Sequence, residues 1–395
     1  MHHFTERSER IPVNVIRELF KLMADPDIIS LGGGNPAKES FPLEEVRQIT
    51  DYLLCVHGAD ILQYGVTPGY LPLRQAYLEH LARPKGVQAE VANTIIFTGS
   101  TQGISLTLEL FCNEGDTVLV ENPTFLGTLN VMYKMGLRVV PVETDAQGIC
   151  IDDLEEKVRR ERPRLLYTIP TFQNPTGRTI PAERRQRIAE LAAKYDFIVL
   201  EDDPYGDVRL AGEPVPPIKS FDTAGNVVMM NSFSKIISPG LRVGVGVAEA
   251  DIAAKLEALK QGADTHTALL PQAICAEFLD RGLLPAHLQR IAAIYRERLD
   301  AMLAAMAKHF PADCRYTVPE GGLFLWVELA GDIDATRLLE RAVAEEKVAF
   351  VPGAPFCVHA EDGRSCMRLN FSNSGPKQIT TAIERLGRLL QSETK

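Results

Sequence analysis

A lysine that could act as a nucleophile comes directly after one of the apolar segments of this chain. Lys235 ends the sequence VVMMNSFSK and follows the hydroxyl residues Ser232 and Ser234. Burial at the end of a strand favours the neutral form of an amine, and the neutral amine is the nucleophile of Schiff-base chemistry. Arg242, seven positions later, carries a planar group that suits a phosphate. For this segment alone, a surface lysine in a serine-rich loop is the alternative.

Three consecutive carboxylates follow another apolar segment. Glu201, Asp202 and Asp203 come after FIVL and precede Tyr205. Carboxylates at the end of a buried strand are costly to desolvate unless a cation satisfies them. A protonated ring nitrogen would do so. A metal ion is the competing idea, but no histidine flanks the run and magnesium usually arrives with substrate phosphates.

A glycine-containing turn follows the apolar run TIIF. It reads TGSTQG and contains Ser100 and Thr101. Such a turn at the start of a helix presents free N–H groups and the positive end of the helix dipole, which suit a phosphate. An ordinary helix N-cap is the alternative for this motif alone.

Two more segments end in side chains that suit a flat ligand. Phe125 closes the sequence ENPTF and could either stack on a heterocycle or belong to the core. Asn174 lies in FQNPTG, which is typical of a turn. Its amide could hydrogen-bond a ligand hydroxyl or oxyanion, whereas a plain loop is the simpler interpretation.

The elements that would position these residues alternate between strands and helices from about residue 90 to 250. The predicted strands are 94–97, 117–120, 138–142, 164–170, 197–202 and 227–233, and the predicted helices between them include 101–111 and 182–195. This order, with almost continuously apolar strands, predicts an α/β fold with a mostly parallel sheet flanked by helices on both faces. Ligands of such sheets lie beyond the carboxyl ends of the strands, so the residues above should converge there.

A smaller α/β unit is predicted after about residue 270. A helical stretch at 284–309 precedes RYTVP, GGLFLWVEL, KVAFVPG and CMRLNFS, which we interpret as antiparallel strands. The predicted division is a large domain at 41–280, a small C-terminal domain at 281–395, and an N-terminal segment at 1–40. That segment carries a short helix at VNVIRELFKL, belongs to neither sheet and packs with the small domain.

Composition excludes several classes of protein. The 395 residues are 45% hydrophobic and 24% charged, as in an average soluble domain, and the formal net charge is −10 without a basic stripe. Binding to nucleic acid is therefore not expected. Seven dispersed cysteines without a CxxC pair indicate neither a disulfide framework nor a zinc site, and no metal is predicted. No signal peptide or membrane span is apparent, so we expect a cytoplasmic enzyme that acts on small molecules.

The strand-end residues form one coherent set. A phosphate-binding turn, a stacking aromatic ring, an oxyanion partner, a carboxylate for a ring nitrogen and a reactive lysine together suit pyridoxal 5′-phosphate. The chain also resembles the class I and II aminotransferases among the fold-type I pyridoxal-phosphate enzymes, and most of all their 2-aminoadipate and kynurenine aminotransferase branch. The resemblance rests on QYGVTPGYLPLR, FQNPTG, EDDPY and SFSKIISPGLRVG, in that order, and extends from IRELFKL to RLNFS.

The resemblance implies a role for each residue of the cofactor site. Lys235 would be the Schiff-base lysine and proton carrier, and Asp202 the partner of the pyridine nitrogen. Tyr205 and Asn174 would hold the phenolic oxygen of the cofactor. The implied phosphate and ring contacts are Ser100, Thr101, Ser232, Ser234, Arg242, Phe125 and Tyr64. The family often has Tyr at the position of Phe125, and this branch commonly has Gln at that of Thr101.

The resemblance also implies substrate contacts and a partner subunit. Arg368 would bind the substrate α-carboxylate, and Gly34 would leave room for the substrate. Tyr64 would reach the active site of a second subunit, which makes the functional unit a homodimer with shared sites. Arg17 lies in a helix that is mobile in this branch; it would meet a distal carboxylate or be a solvated charge. The run GGGNPAKESFP departs from the more usual GGLP-type sequence and leaves side-chain specificity open.

The expected function is a ping-pong transfer of an amino group. The donor would be 2-aminoadipate or an aromatic or branched aliphatic L-amino acid, and 2-oxoglutarate would be the acceptor. Decarboxylation or β-elimination on the same scaffold is the first alternative, since fold does not decide reaction. A ligand-sensing module is the second, but the chain begins almost directly at the aminotransferase-like part and has no basic patch.

Overall fold

The computed structural model describes residues 2–10, 25 and 27–393, and its centre is a seven-stranded sheet. The strands of this sheet are β2 (Thr94–Phe97), β3 (Thr117–Glu121), β4 (Arg138–Val142), β7 (Leu165–Thr168), β8 (Ile198–Asp203), β9 (Val227–Ser232) and β10 (Gly244–Val247). Their spatial order is β2-β10-β9-β8-β7-β3-β4. All neighbours are parallel except β10, which runs antiparallel to both β2 and β9. The predicted mostly parallel α/β sheet is confirmed.

Successive residues of the central strands belong to two separate hydrophobic cores. Leu165 and Tyr167 pack in the larger core, whereas Leu166 between them packs in the other, with Leu119 and Val199. Side chains alternate across a strand, so these two cores lie on the two faces of the sheet. Burial on both faces explains why the strands read as continuous apolar runs.

The helices cover these faces and build the smaller unit. Their bounds are α1 (Glu6–Glu9), α2 (Leu43–Ile61), α3 (Leu71–Lys85), α4 (Ser100–Phe111), α5 (Leu126–Lys134), α6 (Ile151–Glu161), α7 (Ala182–Tyr195), α8 (Ala250–Asp264), α9 (Leu269–Asp280), α10 (Leu284–His309), α11 (Ala335–Glu346) and α12 (Pro376–Glu393). Within the described part of the chain, no helix combines the length and apolar character that a membrane crossing needs.

Some strand boundaries differ from the prediction. The segment predicted at 164–170 pairs only over Leu165–Thr168, and the one predicted at 227–233 ends at Ser232. The segment predicted at 197–202 runs over Ile198–Asp203, so its three carboxylates are the last residues of β8 itself. The helix predicted to begin at residue 101 begins one residue earlier, at Ser100.

A second, four-stranded antiparallel sheet forms the smaller unit. Its strands are β11 (Arg315–Tyr316), β12 (Phe324–Glu328), β14 (Val351–Pro352) and β15 (Cys366–Asn370), in the order β11-β12-β15-β14. Two further strands, β5 (Thr144–Asp145) and β6 (Gly148–Ile149), form a separate hairpin.

The N-terminal segment pairs with part of KVAFVPG. Strand β1 (Ile29–Ser30) lies parallel to β13 (Val348–Ala349). The interpretation of KVAFVPG as one antiparallel strand is therefore wrong for its first half. The cause is the neighbouring chain: the backbone N–H groups of Ile29 and Leu31 donate to the carbonyls of Lys347 and Ala349, at 2.9 and 2.7 Å. The helix predicted at 13–22, and Arg17 with it, lies outside the described residues.

Candidate active site

A cavity of about 250 Å³ lies where the large sheet meets the smaller one. Its walls combine the carboxyl-terminal region of β8 and the turns after β2 and β9 with side chains from β12 and β15. The lining residues are Gly32, Gly34, Asn35, Ser100, Thr101, Ile104, Phe125, Ile169, Asn174, Asp202, Pro204, Tyr205, Ser232, Ser234, Lys235, Arg242, Phe324 and Arg368. The structure thus brings together every site residue predicted from the sequence except Tyr64 and the undescribed Arg17.

Lys235 points its amine into this cavity. Its Nζ donates a hydrogen bond to the carbonyl oxygen of Gly34, at 2.8 Å. The pKa of Lys235 is lowered from 10.5 to about 8, mainly by burial and in addition by the positive charges of Arg368 and Arg242. A neutral amine is therefore accessible near physiological pH, as a nucleophile or base requires.

Asp202 presents one free carboxylate oxygen. Its Oδ2 accepts a hydrogen bond from the hydroxyl of Tyr167, at 2.8 Å, while its buried Oδ1 has no partner among the described residues. The pKa of Asp202 is raised to about 7: burial is the main cause, the hydrogen bond from Tyr167 opposes the rise, and neighbouring Asp203 adds to it. A buried, unpartnered carboxylate oxygen fits a protonated ring nitrogen, which would return the carboxyl group to its ionised form.

The other two carboxylates of this run, Glu201 and Asp203, are bound by other groups of the protein. Glu201 accepts hydrogen bonds from the backbone N–H groups of Ile218 and Lys219, at 2.7 and 2.9 Å. Asp203 lies 3.5 Å from the amine of Lys85 and accepts from the N–H of Gly206, at 2.9 Å. Of the three, Asp202 lines the cavity.

The turn before helix α4 is shaped for an anion. Gly99 has φ +80° and ψ 155°, and a Cβ atom there would collide with the guanidinium of Arg242. A Cβ at Gly244 would meet the backbone nitrogen of Ser100 at 2.5 Å, so both glycines are needed for this close approach. No side chain caps the helix, and the first-turn N–H groups at Ser100 and Thr101 are therefore suited to bind a phosphate.

Arg242 is held in an unusual backbone conformation beside this turn. Its φ is 54° and its ψ is 45°, in the left-handed region that residues other than glycine rarely adopt. Its Nη1 lies 3.5 Å from the hydroxyl of Ser234 and 3.4 Å from the carbonyl oxygen of Pro239. Backbone strain of this kind commonly marks a functional position.

Arg368 is a buried cation without a carboxylate partner in the described chain. Its Nη1 donates to Oδ1 of Asn174 at 2.9 Å and its Nη2 to the carbonyl of Gly32 at 2.7 Å, while Nε has no partner. Its guanidinium lies 4.1 Å from the ring centre of Phe324 and 5.0 Å from that of Phe356. Burial lowers the pKa of Arg368 to about 10. A fixed, uncompensated guanidinium of this kind suits a carboxylate ligand.

Asn174 also connects to Tyr205. The Asn174 amide donates to the hydroxyl of Tyr205, at 3.4 Å. Burial raises the pKa of the Tyr205 hydroxyl above its ordinary value, and the charge of Arg368 opposes that rise. The two side chains therefore form a hydrogen-bonding pair that a ligand oxygen can join.

The remaining walls are apolar or small. Phe125 precedes α5 and is half-buried, and the cavity also includes Ile104, Ile169 and Phe324. A Cβ at Gly34 would lie 3.4 Å from the ring of Phe324, so this glycine widens the cavity. Sequence reasoning missed Phe324, although it lies in the predicted strand GGLFLWVEL, because alternation alone did not say which face meets the ligand.

Tyr64 lies outside the cavity. Its side chain is 82% exposed, and its ring packs edge-on against His266 with 5.8 Å between the ring centres. Within this chain it contributes nothing to the cavity walls.

The fold and the cavity define an α/β protein in which a helix N-terminus, a buried carboxylate and a lysine with a lowered pKa line one cavity at the strand ends. The family model for aminotransferase class I and II matches residues 26–386, and this chain belongs to that family. It is 40% identical to the aromatic-amino-acid aminotransferase 1 of Thermococcus litoralis, over 100% of this chain and 95% of the relative. It is also 39% identical to the 2-aminoadipate transaminase of Thermus thermophilus, over 98% and 96% of the two chains.

A solved structure shows the same fold with a cofactor. The kynurenine aminotransferase of Pyrococcus horikoshii, in complex with PMP, superposes with a TM-score of 0.95 at 38% identity, over 99% of this chain and 98% of that one. The protein is thus a pyridoxal-phosphate-dependent aminotransferase whose substrates are amino acids and oxo acids, as expected from the sequence.

If Lys235 forms the Schiff base with the cofactor, its pKa predicts how the rate of pyridoxal 5′-phosphate capture by the cofactor-free protein depends on pH. Because the neutral amine is the nucleophile, the capture rate should rise about tenfold per pH unit below pH 8 and level off above it. Stopped-flow absorbance between pH 6 and pH 10 measures this dependence. A rate that keeps rising towards the ordinary lysine pKa of 10.5 would contradict the environment described for Lys235.

Proposed function

We propose that Lys235 is the covalent attachment point of the cofactor and the group that moves the proton in transamination. Lys235 combines a lowered pKa with a position inside the cavity, and this observation carries the proposal. When bound, pyridoxal 5′-phosphate supplies an electrophilic aldehyde carbon and a ring that withdraws electrons from the substrate Cα. The amine of Lys235 would take the proton from the Cα of the amino donor.

The other polar residues bind and orient the cofactor. Oδ1 of Asp202 would accept a hydrogen bond from the protonated ring nitrogen. Tyr205 and Asn174 would hold the phenolic oxygen, and Phe125 would contact the ring. The residues that would bind the phosphate are Ser100, Thr101, Ser232, Ser234 and Arg242. This assignment is supported by the lining of one cavity by all these residues and by the free oxygen of Asp202.

Arg368 binds the substrate α-carboxylate in this proposal. Its buried guanidinium already presents two donors to neutral oxygens of Asn174 and Gly32, which a substrate carboxylate can replace or join. The donors we propose are aromatic amino acids, 2-aminoadipate and branched aliphatic amino acids, with 2-oxoglutarate as the acceptor. The apolar lining by Ile104, Ile169 and Phe324 and the names of the relatives above support this range. Gly34 leaves space for the substrate, and Arg17 is the proposed contact for a distal carboxylate.

A donor panel with product analysis tests the proposed reaction. We expect phenylalanine, tyrosine, 2-aminoadipate and leucine each to yield the matching 2-oxo acid together with glutamate, when 2-oxoglutarate is supplied. Release of carbon dioxide without glutamate would instead favour the decarboxylase alternative. Release of phenol, pyruvate and ammonia from tyrosine, again without glutamate, would favour the β-lyase alternative. Cofactor binding without any turnover would favour a sensing module.

We also propose a homodimer with shared active sites. The stretch from residue 54 to 71 carries several large apolar side chains on its surface: Leu54, Val56, Leu62, Tyr64, Val66 and Leu71. Leu62 and Tyr64 are 72% and 82% exposed, which is unfavourable unless another surface covers them. We call this stretch the 54–71 surface. A second copy that covers it would place Tyr64 at the cofactor site of the neighbouring subunit.

Leu62→Glu should dissociate this dimer. A charge placed on this apolar surface would lose its hydration on association, so the variant should sediment as a monomer and lose most of its activity. Analytical ultracentrifugation measures the mass. Val318→Glu is the matched control, because Val318 is 67% exposed and lies far along the chain in the smaller unit. A fully active monomeric wild-type protein would contradict the proposal.

Mixing two inactive variants tests the shared site itself. If Tyr64 serves the neighbouring subunit, a hybrid of Lys235→Ala and Tyr64→Ala subunits contains one site with both native residues. Random reassociation should then restore about a quarter of the wild-type sites. No recovery on mixing, with hybrids demonstrated by mass, would overturn the role of Tyr64 in the neighbouring site.

We propose the domain division 1–40, 41–280 and 281–395, with the first segment packed on the small domain. The pairing of β1 with β13 supports this division. Two hydrogen bonds also support it: the N–H of Asn370 donates to the carbonyl oxygen of Leu31, and the hydroxyl of Ser372 donates to the carbonyl oxygen of Asn35, both at 2.8 Å.

A further inference from the structure

Lys260 is a fully buried lysine that the proposed reaction does not use. It lies on helix α8, does not line the cavity, and has no exposed surface. Its Nζ donates to both carboxylate oxygens of Asp264, at 2.7 and 2.9 Å, and to the hydroxyl of Thr267 at 3.0 Å. It also donates to the amide oxygen of Gln102 at 3.1 Å. A lysine is rarely buried without such partners, and each of them has a further contact.

These further contacts meet at Thr98. The Thr98 hydroxyl donates to Oδ2 of Asp264 at 2.7 Å, and its backbone N–H donates to the amide oxygen of Gln102 at 2.8 Å. The same hydroxyl lies 3.1 Å from that of Thr267. Lys260 therefore fixes both acceptors that hold the backbone and side chain of Thr98, which immediately precedes Gly99 and Ser100.

We propose that Lys260 is a positioning residue for the phosphate of the cofactor: it holds the turn 98–101 in the shape that binds the phosphate and neutralises the carboxylate next to that turn. The inference rests on the assignment of this turn to the phosphate under the proposed function. Lys260 touches neither cofactor nor substrate, so it acts through Asp264, Gln102 and Thr98.

Charge explains why a lysine is needed here. Asp264 lies against a turn that must accept a phosphate carrying up to two negative charges, and the carboxylate alone would repel it. The amine of Lys260 cancels that charge and orients Asp264 towards Thr98. Burial lowers the pKa of Lys260, and its contact with Asp264 opposes that decrease.

Lys260→Met removes the charge and keeps most of the volume. We expect pyridoxal 5′-phosphate to bind about 10- to 100-fold more weakly, the size of a lost hydrogen bond to a charged group. Pyridoxal, which lacks the phosphate, should bind as it does to the wild type. Equilibrium dialysis of the full chain with each compound gives both affinities. The double variant Lys260→Met/Asp264→Asn should recover part of the loss, because the unpaired carboxylate is then removed.

Two further variants control for a general effect of losing a buried lysine and for a failure of Lys260→Met to fold. Lys219→Met removes another buried lysine, paired with Asp222 at 2.8 Å, and should leave both affinities unchanged. If Lys260→Met does not fold, Gln102→Met removes one of the two acceptors that hold Thr98, and it should also weaken only the phosphorylated compound. Unchanged affinity for pyridoxal 5′-phosphate, or an equal loss for both compounds, would overturn the inference.

Arg242→Met separates this inference from the proposed function. Arg242 lies directly at the turn, so its loss should also weaken pyridoxal 5′-phosphate selectively. If Arg242→Met shows the selective loss and Lys260→Met does not, the inference about Lys260 is wrong and the phosphate site stands. If Arg242→Met does not selectively lose affinity for pyridoxal 5′-phosphate, the assignment of this turn to the phosphate is wrong, and so is the inference about Lys260.

Discussion

Lys235→Ala should lower transamination by more than about 10⁴-fold, because in the proposed mechanism this one side chain supplies both the attachment of the cofactor and the proton transfer. The fold should survive the change. Lys235 makes one hydrogen bond, to the carbonyl of Gly34, and its removal relieves the desolvation that lowers its pKa. Steady-state rates with several donors, together with the melting temperature, measure the two effects separately.

Lys219→Met serves as the control for Lys235→Ala. Lys219 is also buried, but it is paired with Asp222 and does not line the cavity. This variant should retain its turnover. Normal turnover in Lys235→Ala would contradict the proposed mechanism. Failure of the variant to fold would contradict the expectation that Lys235 contributes little to stability.

Arg368→Gln should weaken every amino-acid donor together. Loss of one partner of a buried charged pair costs about 2–5 kcal/mol, or roughly 30- to 5000-fold in kcat/KM. Arg368→Lys keeps the charge but loses the planar fork and its contact with Phe324, so its loss should be intermediate. Steady-state kinetics with aromatic, aliphatic and dicarboxylic donors measure the effect.

A second readout follows from the charge of Arg368. This charge is one of the causes that lower the pKa of Lys235, so Arg368→Gln should move the pH dependence of cofactor capture to higher pH. A loss of activity confined to dicarboxylic donors would contradict the assignment and would place Arg368 at the distal carboxylate instead.

The sequence predicted the large sheet well because its strands are buried on both faces and therefore apolar throughout. It failed for β10, whose sequence GVGV has too few side chains to form an apolar run. The structure shows why glycine is needed there, since a Cβ at Gly244 would strike the backbone of Ser100. The β1–β13 pair was also missed, because each strand has two residues and the pairing joins distant parts of the chain.

The sequence predicted the residues at strand ends but not those that support them. Asp202 and Lys235 stand in motifs with a recognisable order, whereas Tyr167 looks like an ordinary residue of a buried strand. Only the parallel pairing of β7 with β8 brings its hydroxyl to Asp202. Lys260 reads as a surface charge in an amphipathic helix, and its partner Gln102 is 158 residues away. Such contacts depend on tertiary structure, which local patterns do not encode.

The absorbance spectrum of the purified protein, recorded while one amino acid and then 2-oxoglutarate are added, tests the central claim most directly. We expect the absorbance of lysine-bound pyridoxal 5′-phosphate to convert to that of the pyridoxamine form when a donor is added. We also expect 2-oxoglutarate alone, with no further donor added, to restore the first spectrum. Bound cofactor that no donor converts would contradict transamination, and no bound-cofactor absorbance after addition of pyridoxal 5′-phosphate would contradict the role of Lys235.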